Sequence, residues 1–277
     1  MKRIALVTGC STGIGKSVAL KLVKKGYVVF AGVRRIESIH SLTSEHFIPV
    51  QLDVNNPNHI ADTVKTIEKR FSRLDLLINN AGYGAMGPIA EVPVTQIQNQ
   101  FSTNVFAPIA LAQAVFPLLR NGDKPQVVNI GSIAGVFSIP FSGVYGASKA
   151  ALHVLSDVLR MELKPFGIHV MTVYPGGIAT SFGDNATDKL EDTLVEGSLY
   201  TKVAQAISNR AKLSSDSPTT PDMFADTLIH SLEKRTPSNS TFIGHGSRAL
   251  RFAKVILPTK FREFILRRSY SLNLLSN

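Results

Sequence analysis

Six times along this chain a short apolar run gives way to a segment of helical character, and that alternation sets the fold class. The runs are residues 4–7, 27–31, 47–52, 75–78, 127–130 and 168–173. The first is apolar without alternation, as a parallel strand covered on both faces requires. Helical stretches follow it to about 25, from 57 to about 71, from 96 to 119, and from the 140s to about 164. Gly26 suits a helix C-terminus, and Asn56-Pro57 suits a cap followed by a first helical position. The pattern predicts an α/β, doubly wound parallel sheet (Rossmann-like), one domain with helices on both faces. Right-handed crossovers bring the loop after every strand to the carboxyl edge of the sheet. A further helix is expected from 221 to about 234, and a last strand at 241–243.

The loop after the first run reads Thr8-Gly9-Cys10-Ser11-Thr12-Gly13-Ile14-Gly15. Strand, glycine turn and helix start together make an anion site, because the backbone approaches a pyrophosphate closely and free N–H groups face it. The spacing is Gly-xxx-Gly-x-Gly, and tight turns also use glycine for geometry alone. After the second run stand Arg34 and Arg35, where an NAD site would carry an acid for the ribose. A missing acid and a guanidinium suited to a 2′-phosphate favour NADP(H), with Arg34 ahead of Arg35; a solvated loop pair is the plainer reading. Asp53-Val54 closes the third run, where the carboxylate suits an adenine amino group. Asn79-Asn80-Ala81-Gly82 closes the fourth, either tying neighbouring loops or forming an ordinary turn. Asn104 lies inside the long helix, where Asn is a poor former, and Pro108 predicts a kink close by.

Residues 129–149 carry the candidate chemistry. Tyr145 and Lys149 are four apart among helix formers, so they share one face. A free phenol titrates near pH ~10, and a neighbouring ammonium favours its ionised form. Ser132 ends the fifth run, within reach of a carbonyl that Tyr145 protonates. Alone, such a Tyr–Lys pair is as readily a surface pair.

Taken together these motifs resemble the short-chain dehydrogenase/reductase family over residues 2–180. The resemblance rests on Thr8-Gly9-xxx-Gly13-Ile14-Gly15, Asp53, Asn79-Asn80-Ala81-Gly82, Asn104, Ser132, Tyr145-xxx-Lys149, Pro175-Gly176 and Thr180. It implies reversible carbonyl–alcohol conversion with NADP(H), Tyr145 as general acid–base and Lys149 lowering its pKa while holding the nicotinamide ribose. It further implies that Ser132 positions the substrate oxygen and that Asn104 supports a water relay. Pro175, Gly176, Ile178 and Thr180 then belong to the nicotinamide end, Asp53 and Val54 to the adenine, and Ser11 and Arg34 to a 2′-phosphate. Thr12, Ala81 and Gly82 complete the cofactor set, which contains no metal ligand. Within the family the chain looks most similar to the acyl-dihydroxyacetone-phosphate reductase, 17β-hydroxysteroid and retinol dehydrogenase branch, implying a lipophilic substrate. A β-ketoacyl-carrier-protein reductase and a non-catalytic NADP-sensing protein are the alternatives.

The catalytic domain is expected over 1–245, with a substrate lid about 181–221 containing Phe182, Leu190, Leu194, Leu199, Tyr200 and Val203. Those apolar residues either line a lipophilic pocket or form one packed helix face. His153 reads as a packed or exposed helix residue. The formal charge is +10, of which residues 247–268 supply +6 through seven basic residues and the single acid Glu263. Most of the charge thus lies in an extension at 246–277, and nucleic-acid binding, with only that charge behind it, is discounted. Its apolar residues, Leu250, Ala253, Ile256 and Leu257 and then Phe261, Phe264 and Ile265, recur near helical spacing around Pro258. Peripheral attachment to an anionic membrane through 247–268 and packing on the protein itself or a partner subunit both fit. One cysteine, Cys10, excludes an internal disulfide and suits the cytoplasm. No apolar run reaches the ~20 residues of a spanning helix, and a homo-oligomer is expected from the resemblance.

Overall fold

Every apolar run is a strand in the computed structural model, which describes residues 2–180, 182, 197–212 and 217–275. The strands are β1 (Ile4–Thr8), β2 (Val28–Val33), β3 (Phe47–Gln51), β4 (Leu76–Asn79), β5 (Gln126–Ile130), β6 (His169–Pro175) and β7 (Ser240–Ile243). They form one parallel sheet in the order β3-β2-β1-β4-β5-β6-β7. β1 shows why the runs lack polar alternation. Ala5 and Val7 enter one core with Val18, Leu22, Phe224 and Leu228, while Ile4 and Leu6 enter the other with Ile67, Leu111 and Val115. A polar residue at any of these positions would lie in a packed interior. Each buried Val or Leu contributes on the order of 1.5–3 kcal/mol.

The first core lies under α1 (Gly13–Lys24) and a helix at Pro221–Leu232, joined by a Ser17–Asp222 hydrogen bond and a Lys21–Asp226 ion pair. The second lies under α2 (Pro57–Phe71), which Asn56 caps by accepting from the Asn58 and His59 N–H groups. The long helix expected at 96–119 is a composite of α3 (Val94–Phe101), a π-helical turn (Ser102–Phe106) and α4 (Ala107–Arg120). The anticipated kink at Pro108 is thus a widened turn just before it. In a regular helix the proline ring would meet the Asn104 carbonyl and offer it no N–H, and a wider turn relieves that clash. Among the described residues this stretch, Val94–Arg120, is the one helix long and apolar enough to cross a membrane, and half of it is buried in the protein.

Strand order reverses between β1 and β4, each of which leads its loop to the same carboxyl edge, the crevice where open α/β sheets hold ligands. α5 (Gly143–Leu163) follows β5 and flanks that crevice. α6 (Ala204–Lys212) belongs to the expected lid, and α7 is the Pro221–Leu232 helix already described. Leu190 and Leu194 lie outside the described residues. Beyond β7 come α8 (Ser247–Ile256) and α9 (Thr259–Ser269), divided at Pro258, and a final turn at Leu272–Leu275.

Candidate active site

The glycine loop is held open by the loop after β4. Asn80 Nδ2 donates to the Thr8 carbonyl (2.9 Å) and the Gly9 carbonyl (3.2 Å), and the N–H groups of Asn80 and Ala81 both donate to Thr8 Oγ1 (2.9 Å). A Cβ on Gly15 would stand 2.2 Å from the Gly9 oxygen, so only glycine permits this approach. Gly13 has φ +57°, and a Cβ there would stand 3.3 Å from Thr180 Cγ2, which brings the loop after β6 onto the same cradle. Thr12 makes no side-chain cap and the first turn of α1 holds no acid, leaving its N–H groups to a ligand. Ser11, Thr12, Arg34 and Arg35 are exposed around this helix start. Val54 is buried after β3, and Asp53 accepts the Asn55 N–H (3.0 Å). Pro175 and Gly176 end β6, where the Gly176 N–H donates to the Ile243 carbonyl (2.8 Å), and Ile178 is buried just beyond. A cradle closed to any Cβ, beside an uncapped helix start and two exposed guanidiniums, fits a dinucleotide phosphate. Cys10 lies beneath it with its thiol donating to the Val7 carbonyl (3.1 Å), and burial pushes that thiol far up. It is inert here.

Tyr145 and Lys149 are a turn apart on α5 and only 7% and 5% exposed, which disposes of a surface pair. Ser132 is the side chain beside the Tyr145 phenol that favours its ionised form. It stands in extended backbone at the end of β5 and accepts the Ala134 N–H (3.1 Å). Lys149 Nζ donates to the Ile130 carbonyl (2.8 Å) and lies 6.0 Å from the Tyr145 ring centre. Burial pushes the phenol's pKa up, opposed by Ser132 and the Arg210 charge. Burial also lowers Lys149 to about 8. The phenol therefore stays protonated at neutral pH and has a proton to give.

Asn104 is fully buried in the π-turn. It exchanges hydrogen bonds with the Tyr83 backbone (3.1 Å from the N–H, 2.9 Å to the carbonyl) and donates to Ser148 Oγ (3.0 Å). A Cβ on Gly82 would stand 3.0 Å from Asn104 Oδ1 and 3.5 Å from Lys149 Nζ. The glycine thus keeps open a small polar space between the amide and the ammonium.

Around this core the structure gives Thr8 and Phe182 roles that the sequence left open, and it brings in Met86, Ala134 and Arg210, which the sequence did not single out. Thr8 orders both loops, and only its place at a strand end hinted at that. Phe182 lies 5.4 Å from the Tyr145 ring, and Met86 and Ala134 complete the apolar wall. Arg210, on α6, directs charge toward Tyr145 and Tyr270, and its buried Nε has no hydrogen-bond partner among the described residues. The other lid residues divide: Val203 is buried, Tyr200 stacks edge-on to Phe141, and Leu199 is exposed.

His153 is packed against Tyr174 (4.5 Å between ring centres), and its Nε2 accepts the Ser132 N–H (3.3 Å). It is a positioning residue. Burial and the Lys149 charge lower its pKa to about 4. The folded imidazole remains neutral while an unfolded one protonates near pH ~6.5. The unfolded state then binds more protons below that pH, so stability should fall between pH 6.5 and 4 by up to about 3 kcal/mol. Urea titrations of the wild type and His153→Gln across this range should show the steeper loss in the wild type; parallel curves would contradict the assignment.

The short chain dehydrogenase family pattern matches residues 3–191. The NADPH-dependent 1-acyldihydroxyacetone phosphate reductase of Saccharomyces cerevisiae is 30% identical over 100% of this chain and 94% of its own. A 3-ketodihydrosphingosine reductase of Bacteroides thetaiotaomicron is 36% identical over 66% of each chain. A short-chain dehydrogenase from Streptomyces avermitilis superposes with a TM-score of 0.81 at 26% identity, covering 99% of both chains.

Proposed function

The chain belongs to the short-chain dehydrogenase family, and from that premise we propose that it reduces a lipophilic ketone with NADPH, using Tyr145 as the proton donor. Family membership makes it an NAD(P)-dependent oxidoreductase of alcohols and carbonyls. The finer reading rests above all on the buried Tyr145 standing one turn from the buried Lys149, with Ser132 beside the phenol, at the sheet's carboxyl edge. NADPH, when bound, supplies the hydride that adds to the carbonyl carbon. Ser132 orients the carbonyl oxygen and Tyr145 delivers its proton to that oxygen. Lys149 holds the ribose and restores charge balance beside the phenol, and Asn104 orders the polar space behind it. Gly9, Thr12, Gly13, Ile14 and Gly15 take the pyrophosphate, Ser11 with Arg34 the 2′-phosphate, Asp53 and Val54 the adenine, and Asn80, Ala81, Gly82, Pro175, Gly176, Ile178 and Thr180 the remainder.

Two full or partial relatives are named for lipid ketones, and Phe182, Met86 and Ala134 give the site an apolar wall. These support a lipid substrate of the acyl-dihydroxyacetone-phosphate type, over a steroid or retinoid. The test is NADPH oxidation with acyl-dihydroxyacetone phosphate, a 3-ketosphingoid base, a 17-ketosteroid, retinal and a β-ketoacyl thioester. Selective turnover of a lipid ketone is expected. Turnover of only the carrier-bound thioester would select the carrier-protein reductase, and tight NADPH binding with no turnover would select a sensor.

Arg34 and Arg35, in place of an acid after β2, support NADPH over NADH. Hydrogen bonds to charged groups contribute roughly 1.5–3 kcal/mol. Arg34→Ala should therefore raise the KM for NADPH by about 10- to 100-fold and leave that for NADH nearly unchanged, with Arg35→Ala milder. Equal loss with both cofactors would show that Arg34 does not read the 2′-phosphate.

A further inference from the structure

Beyond β7 lies a surface that the chemistry does not use. α8 and α9 turn Phe252, Val255, Ile256, Phe261, Phe264 and Ile265 to solvent, with Phe252 67% and Val255 77% exposed. The stripe read from helical spacing divides in two: Leu250, Ala253 and Leu257 are half-buried, while Ile256 faces outward. Neighbouring apolar side chains left in water on two successive helices mark an interaction site. Six exposed cations, Arg248, Arg251, Lys254, Lys260, Arg267 and Arg268, surround them, with Glu263 the single acid of the segment. The surface is formed in advance. Arg262 donates to the Lys254 carbonyl (3.0 Å) and to Thr259 Oγ1 (3.0 Å), tying the two helices together across Pro258. Arg268 stacks on Phe264 (4.8 Å), putting cation and exposed ring side by side, while Arg251 stacks on Phe242 of β7 (4.5 Å) and fixes α8 against the sheet.

We propose that α8 and α9 are a docking surface for an anionic phospholipid membrane, entered by the exposed Phe, Val and Ile side chains and held by the surrounding cations. An apolar patch alone would also accept a second copy of the chain. Charge decides against that occupant, because a symmetric pair would set one +6 segment against another. A lipid interface offers hydrocarbon below and negative headgroups around, the complement of this arrangement. The surface also ends at the candidate site: Tyr270, which follows α9, packs edge-on to Phe141 (6.2 Å) and meets the charge of Arg210. Docking stands on its own observations and survives if the substrate reading fails.

The chain contains no tryptophan, so Phe252→Trp introduces a single fluorophore into the patch. Full-length protein carrying it would be mixed with neutral phosphatidylcholine vesicles and with vesicles rich in phosphatidylglycerol. The expected result is a blue-shifted emission and co-sedimentation at least about 100-fold stronger on the anionic vesicles, weakening with salt. Arg248→Glu with Lys254→Glu should bind about 25-fold more weakly or worse, with circular dichroism and melting unchanged. Equal binding to both vesicle types, an unshifted emission, or charge reversal without effect would overturn the proposal. So would a dimer in vesicle-free solution that Phe261→Ser dissociates, since that result assigns the patch to a second copy.

Discussion

Tyr145→Phe should lower carbonyl reduction by about 10²- to 10⁴-fold, the range that a positioned general acid contributes, while NADPH affinity changes little. The substitution removes one oxygen and leaves the ring against Phe182, Met86 and Ala134. Its structural cost is at most one hydrogen bond, about 1 kcal/mol, too little to unfold the protein. Loss of rate with retained melting temperature and retained NADPH binding is therefore a chemical loss. The pH profile separates this assignment further. Because burial holds the phenol above its ordinary range and lowers Lys149 to about 8, wild-type reduction should be flat near neutrality and decline at alkaline pH, first as Lys149 gives up its proton and then as Tyr145 does. If Tyr145→Phe kept turnover within a factor of a few, another group would be the donor. Ser132→Ala should lose less than Tyr145→Phe if, as proposed, Ser132 orients the oxygen without supplying the proton.

The fold was legible because the doubly wound sheet writes itself as a period. Each strand is buried on both faces, so its run is unbroken, and each chemistry-bearing loop follows a strand end. That logic places Asn80 and Ser132 at one edge, and helical spacing puts Tyr145 and Lys149 on one face. It had less to say where function depends on a contact across elements. His153 reaches the Ser132 N–H only because Gly131 leaves room for the ring: a Cβ there would stand 2.3 Å from His153 Nε2. Nothing in the spacing of a lone histidine encodes that. Arg210 enters from the region least like a repeating pattern, and its relation to Tyr145 arises only when α6 folds over the site. The π-turn was half legible. Pro108 announced an irregularity, but whether a helix kinks or widens is decided by packing around Asn104, which here is buried and bonded to Tyr83 and Ser148. In the tail, periodicity found the helices and the charge, yet only the structure separates Leu250 and Leu257, turned toward the protein, from Phe252 and Val255, turned away.

Lys149→Met should abolish turnover to a similar extent and also change how stability depends on pH. The lysine is buried, donates to the Ile130 carbonyl, and has its pKa lowered to about 8 from an ordinary value near ~10.4. Between those values an unfolded lysine is still charged while the folded one has given up its proton. The unfolded state then binds more protons, so the wild type gains stability as pH rises through this window, by about 3 kcal/mol in total. At neutral pH the same amount is the cost of keeping an ammonium in the site. Methionine, similar in length and apolar, removes that cost but leaves the Ile130 carbonyl without its donor, a loss of roughly 1–3 kcal/mol. The two nearly cancel at pH 7, so the variant should melt close to the wild type there. The distinguishing measurement is urea unfolding from pH 8 to 10.5, in which the wild type should gain on Lys149→Met by about 3 kcal/mol. Equal slopes would mean that the folded lysine titrates like an exposed one. Steeper wild-type stabilisation with lost activity would establish that the site retains a cation the fold alone does not favour, as expected if its charge is spent on the ribose and the reacting phenol.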